Sequence, residues 1–122
     1  MVHLNLKTVV ERISAPEERK RDIEYISQKY PQHCPVFVRY GAKSETVWRH
    51  LMPEDKAFTM LIFVIRKSRK VPPTIGLSFL IETHKGSHIQ CPGGMTFGDI
   101  RDKYGHPDGF LYINVVEQNV FG

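Results

Sequence analysis

The chain has 122 residues, 41% hydrophobic and 25% charged, a composition that suits one compact domain with one apolar core. Seventeen basic against thirteen acidic residues leave a formal charge of +4, a mild excess that permits anionic partners without requiring one. Two cysteines exclude a disulfide framework and point to a reducing compartment. The longest nearly apolar run, residues 57–65, falls far short of the ~20 residues of a membrane-spanning helix, so no transmembrane segment is expected. The first residues lack a signal-peptide core, and a cytoplasmic location is expected.

In chain order, Leu6, Val9, Val10 and Ile13 fall at helical spacing and predict a short amphipathic helix. Ser14-Ala15-Pro16-Glu17-Glu18 reads as the start of a second helix. Proline suits a first turn, and the acids face its positive dipole end. This helix is expected to reach about Lys29, burying Ile23, Ile26 and Tyr30, because Pro31 disfavours helix at the residue before it. Pro35–Tyr40 is β-branched and aromatic and predicts a strand, with Thr46–Met52 as its neighbour after a turn at Gly41–Ser44. Pro53-Glu54-Asp55 predicts the start of the longest apolar-striped helix, with Phe58, Leu61, Ile62 and Ile65 on one side. Arg66, Lys67, Arg69 and Lys70 complement its negative end, and Pro72-Pro73 stops it.

Leu77–Glu82 predicts a strand and His88–Cys91 a short ribbon. A turn at Pro92-Gly93-Gly94, a short helix over Thr96–Tyr104, a turn at Asp108-Gly109 and a final strand over Phe110–Val116 complete the order. Residues 118–122 read as a tail. Hairpin, crossing helix and returning strand is an α+β pattern of the β-grasp, or ubiquitin-like, kind, here with two additional N-terminal helices; a ferredoxin-like arrangement also fits. Residues 1–31 form the helical extension and 32–122 the β-grasp domain with its tail, expected to fold as one unit.

Chemical signatures of enzymes are sparse. GxGxxG, GxxxxGK[ST], HExxH and GxSxG are all missing. His33-Cys34 sets a base beside a thiol, but neighbours on a strand point to opposite faces, so a buried structural thiol is the better reading. The six histidines have no compact ligand spacing. No catalytic residue, metal or cofactor is expected. Arg66-Lys67-Ser68-Arg69-Lys70 could touch phosphate and Tyr40 or Trp48 could stack on bases, but the modest net charge argues against nucleic acid. The ending Val120-Phe121-Gly122 is more telling: a glycine without a side chain can thread a narrow enzyme channel and offer its carboxylate for activation.

Several segments together resemble the autophagy ubiquitin-like modifiers, the GABARAP and microtubule-associated protein light chain 3 group. They are Arg19-Lys20-Arg21, Lys29-Tyr30-Pro31, Pro35-Val36-Phe37-Val38, Leu51-Met52-Pro53, Phe63-Val64-Ile65-Arg66-Lys67, Asp108-Gly109-Phe110-Leu111-Tyr112 and the terminal Val120-Phe121-Gly122. The likeness runs from about Glu18 to the end. It implies a non-enzymatic tag, activated at Gly122 by E1-like and E2-like enzymes and joined as an amide to phosphatidylethanolamine on autophagosomal membranes. A cysteine protease is implied for processing or delipidation.

The resemblance also implies docking of W/F/Y-x-x-L/I/V peptides of cargo receptors beside Thr46–Met52. The aromatic pocket would use Asp22, Ile26, Pro35, Arg49, Leu51 and Phe110; the aliphatic pocket Met52, Pro53, Phe58, Leu61 and Val64. Arg49 and Arg66 would meet acidic residues flanking the peptide. Leu61 and Val64 also belong with the buried stripe, whereas Arg49 and Phe110 are expected to be dispensable for the fold. The sequence departs from the family pattern at His50, expected here to face solvent, at Lys56 on the rim of the aliphatic pocket, and at Leu77-Ser78-Phe79. The competing reading is a β-grasp module that binds protein or RNA partners without covalent attachment.

Overall fold

Five successive residues, Cys34 to Val38, are buried along a strand, so both of its faces need cover. In the computed structural model of the chain the described residues are 9–10, 15–41, 47–91 and 94–118. The elements run β1 (Val9–Val10), α1 (Pro16–Lys29), β2 (His33–Tyr40), β3 (Val47–Pro53), α2 (Thr59–Arg69), β4 (Gly76–Glu82), β5 (His88–Gln90), α3 (Phe97–Tyr104) and β6 (Leu111–Gln118). They build one sheet in the order β1-β3-β2-β6-β4-β5. β2 and β6 pair in parallel at its centre; the other neighbours are antiparallel. A hairpin, a crossing helix and a last strand returning beside the first long one is the β-grasp, not the ferredoxin-like, arrangement.

Alternation along the central strands divides the core in two. Cys34, Val36 and Val38 join Leu111, Ile113 and Val115 in a large cluster closed by Phe58, Leu61 and Ile65 and by Phe97 and Ile100 of α3. On the opposite face Phe37, Val47, Phe110 and Tyr112 form a smaller cluster covered by Ile23 of α1. Ion pairs fasten α1 over it: Arg19 Nε donates to Asp108 at 3.0 Å and Arg49 Nη1 to Asp22 at 3.2 Å. The Tyr112 hydroxyl donates to the same Asp108 carboxylate.

Most element boundaries follow the local signals. α1 opens with Pro16, Glu17 and Glu18 and ends at Tyr30, whose φ of −135° is already non-helical ahead of Pro31. α2 buries Leu61 and Ile65, with Phe58 buried just ahead of it, and stops at left-handed Lys70, where the Val71 amide returns to Arg66 O at 2.9 Å. Thr96 caps α3 by accepting from the Asp99 amide at 3.1 Å.

Three expectations are corrected. Val9 and Val10, expected in a helix, are extended and paired antiparallel with Trp48 and Val47. A helix of so few residues is marginal in water, whereas β-branched residues suit a strand and the open edge of β3 offers unpaired backbone groups. The rest of that expected helix lies outside the described residues. Second, α2 begins at Thr59 rather than at Pro53. Pro53 completes β3, the Glu54 amide donates to Gln32 O, and the Phe58 amide donates to Met95 O at 2.8 Å, so tertiary bonds hold 54–58 out of the helix. Third, Gln118 is not tail but the last residue of β6, opposite Gly76.

The turn into β6 needs glycine. Gly109 has φ +86°, and a Cβ there would stand 2.7 Å from Ile23 Cδ1. Gly109→Ala is expected to cost about 2–3 kcal/mol, the left-handed penalty plus overpacking against α1. Denaturant unfolding should show a lower midpoint at an unchanged slope.

Candidate functional site

β3 pairs with β2 along its whole length, and residues directly opposite share a face. Val47, Arg49 and Leu51 lie opposite Arg39, Phe37 and Pro35, on the α1 side. Trp48, His50 and Met52 lie opposite Val38, Val36 and Cys34, on the α2 side. Val47 accordingly enters the smaller cluster, and Met52, with the partly buried Trp48, the larger one. The two expected pockets are therefore sorted by the pleat of one strand. Asp22 of α1 meets Arg49, while Phe58, Leu61 and Val64 belong to the α2 side with Met52.

On the α1 side the set is closed over by charge. Asp22 and Arg49 bridge α1 to β3 with side chains only 11% and 15% exposed. Burial pushes the Asp22 carboxyl above its ordinary value, and the Arg49 guanidinium pulls against that rise. Ile26 and Pro35 are buried beneath, and Leu51 keeps partial exposure. Phe110 corrects an expectation. It is fully buried and stacked on Phe37 with ring centroids 4.7 Å apart, so the fold does need it, as a floor rather than as a free surface.

On the α2 side Phe58 and Leu61 are wholly buried and Met52 nearly so, while Pro53 and Val64 retain surface. Lys56 is exposed at the turn that follows β3. His50, expected to face solvent, is 2% exposed, its ring stacked beside Trp48; its register opposite Val36 turns it into the core. Arg66 donates to the carbonyls of Pro72 at 3.1 Å and Ile75 at 2.9 Å, fastening the loop after α2.

Tyr40 and Trp48 carry the Arg69 guanidinium at 4.7 and 5.0 Å from their ring centroids. The same Tyr40 hydroxyl donates to Glu117 at 2.7 Å, tying α2 to the end of β6. The sequence offered these rings and cations to nucleic acid and not to each other, and reading by motif did not single out the exposure of Phe63, 72% on α2. The signal for Phe63 was present: it falls off the stripe of Phe58, Leu61, Ile62 and Ile65. Cys34 is inaccessible and its thiol is pushed up to about 12 by burial, so at neutral pH it is no nucleophile. Among the described residues no three His, Cys, Asp or Glu side chains converge as metal ligands, and no helix is long and apolar enough to cross a membrane.

Comparison with known proteins decides the family. Residues 18–122 match the family described as autophagy protein Atg8, ubiquitin like. The chain belongs to that family. Autophagy-related protein 8 of Schizosaccharomyces pombe is 30% identical over 110 residues, which cover 87% of either chain. Its counterpart in Coccidioides immitis is 29% identical, covering 87% of this chain and 90% of the relative. In three dimensions the fold of this Atg8-family chain matches the crystal structure of Trypanosoma brucei ATG8. The TM-score is 0.69 at 23% identity, covering 89% of this chain and 93% of the other.

The Asp22–Arg49 bridge has a measurable sign. The folded Asp22 carboxyl keeps its proton to higher pH than an unfolded one, whose ordinary value is 3.8, so stability falls as pH rises just above that value. Arg49→Ala removes the opposing pull. NMR titration of the Asp22 carboxyl should show it rise further in that variant, widening the window in which stability is lost.

Proposed function

We propose that this Atg8-family protein is a modifier conjugated through Gly122 to phosphatidylethanolamine on autophagosomal membranes, and that it docks W/F/Y-x-x-L/I/V peptides of cargo receptors along β3. The observation that carries the docking reading is the division of β3 by its own pleat: Arg49 and Leu51 toward α1, Met52 toward α2. An extended peptide laid beside such a strand repeats the same alternation, and its backbone supplies hydrogen bonds. Its aromatic anchor would enter between Ile26, Pro35 and Leu51 over the Phe110 floor. Its aliphatic anchor would rest on Met52, Pro53 and Val64 over Phe58 and Leu61. Asp22 competes with an acidic flank for Arg49, so a flank that takes Arg49 opens the bridge over the aromatic side. Arg66 supplies charge from the end of α2.

Gly122 lies outside the described residues, and its role rests on family membership and on the chemistry of a glycine carboxylate. E1-like and E2-like enzymes activate it, a cysteine protease processes or releases it, and two acyl chains suffice for stable anchoring where one is marginal. The domain works as a tag and not as a catalyst.

Two measurements test the reading. In a reconstituted E1-like and E2-like reaction with phosphatidylethanolamine vesicles, Gly122→Ala should give no lipid conjugate; undiminished product would remove Gly122 from the chemistry. By calorimetry, Leu51→Ala and Arg49→Ala should each weaken an acidic-flanked W-x-x-L peptide about tenfold, or ~1.4 kcal/mol. Unchanged affinities would defeat the pocket assignment.

A further inference from the structure

A strand has two edges, and each edge position can pair with only one neighbour. Along β3, β2 takes one edge from Val47 to Pro53. The other edge is the one a docking peptide needs, and it is not wholly open. Val9 and Val10 of the same chain lie antiparallel to Trp48 and Val47 on it, which makes β1 the outermost strand of the sheet. Among the described residues, none pairs with Arg49–Pro53 on that edge.

We infer that β1 is a resident strand on the peptide-accepting edge, and that an acidic-flanked docking peptide must displace residues 9–10 to seat fully. This rests on the docking reading proposed above. The argument is one of length and direction. A W-x-x-L core spans about 13 Å at ~3.3 Å per residue and fits along Arg49–Pro53. Its acidic flank, drawn to Arg49, extends toward Trp48 and Val47, where the backbone groups are already taken. The next element in chain order, α1, carries the Asp22 that holds Arg49 at 3.2 Å. A flank that takes Arg49 therefore also opens the bridge that fastens α1 to β3.

The resident pairing is short, so it is weak in itself, but it is intramolecular and acts at the high effective concentration of a tethered segment. A short or flankless peptide that stays within Arg49–Pro53 does not meet the pairing of Val9 and Val10. A flanked peptide gains Arg49 and loses the edge at Trp48, so β1 sets a threshold that favours partners with more backbone pairing and both anchors.

The test uses the full chain. Proline at both positions, Val9→Pro with Val10→Pro, removes the amides that β1 offers to the ladder and leaves every pocket residue in place. The probe is a synthetic W-x-x-L peptide with an acidic flank, measured by calorimetry. The double variant should bind about fivefold more tightly, the equivalent of ~1 kcal/mol of pairing no longer displaced. In the unaltered protein, amide exchange at Val9 and Val10 should accelerate when the peptide is bound. Equal affinities, or Val9 and Val10 amides that stay equally protected in the complex, would overturn the resident strand while leaving docking intact. A peptide that binds neither protein would overturn the docking reading, and the resident-strand inference with it.

Discussion

The constraint on which the rest depends is the burial of β2 on both faces. Cys34 to Val38 leave no side of the strand for water, so the sheet needs cover above and below. The crossing helix α2 and the short α3 supply one layer, as in any β-grasp. The other face, over Phe37, Phe110 and Tyr112, is closed by α1. The N-terminal helix is thus part of the hydrophobic bookkeeping of the domain. Its polar fastenings, Arg19 to Asp108 and Asp22 to Arg49, accompany an apolar contact made by Ile23.

From that arrangement the site follows. β3 borders a strand that is covered on both sides, so its alternate residues fall beside α1 and α2 in turn. A partner laid along β3 meets two chemically different margins at once: a charge-bridged one at Asp22 and Arg49, and an apolar one at Met52, Pro53 and Val64. The floors of both margins, Phe110 on one and Phe58 and Leu61 on the other, are core residues. On the docking reading proposed above, stability and recognition would draw on the same side chains, so separating them requires Arg49 and Leu51 rather than the buried aromatics.

The α2 terminus shows another economy. Its cations satisfy a helix end, as the sequence suggested, but the structure gives two of them a further task. Arg66 holds the loop at Pro72 and Ile75, and Arg69 lies over Tyr40 and Trp48. Rings that looked available for stacking on bases are occupied by the protein's own guanidinium. Tyr40 carries this contact on to Glu117, near the end of β6.

Much of this was legible in the chain itself. β-Branched and aromatic runs such as Pro35–Tyr40, the stripe from Phe58 to Ile65, and the Pro16, Thr96 and Gly109 punctuation are set by steric and hydrogen-bonding rules that act over a few residues. Short patterns in order carried the family. Tertiary structure alone decided what depends on partners distant in sequence. Val9 and Val10 became a strand because β3 presented an open edge, and Phe58 stayed outside its helix because Met95 held its amide. His50 turned inward because Val36 stood opposite, and Phe110 became core because α1 covered it. A local pattern states which backbone shapes a segment favours; which unpaired groups and apolar surfaces it will meet exists only once the chain has closed on itself.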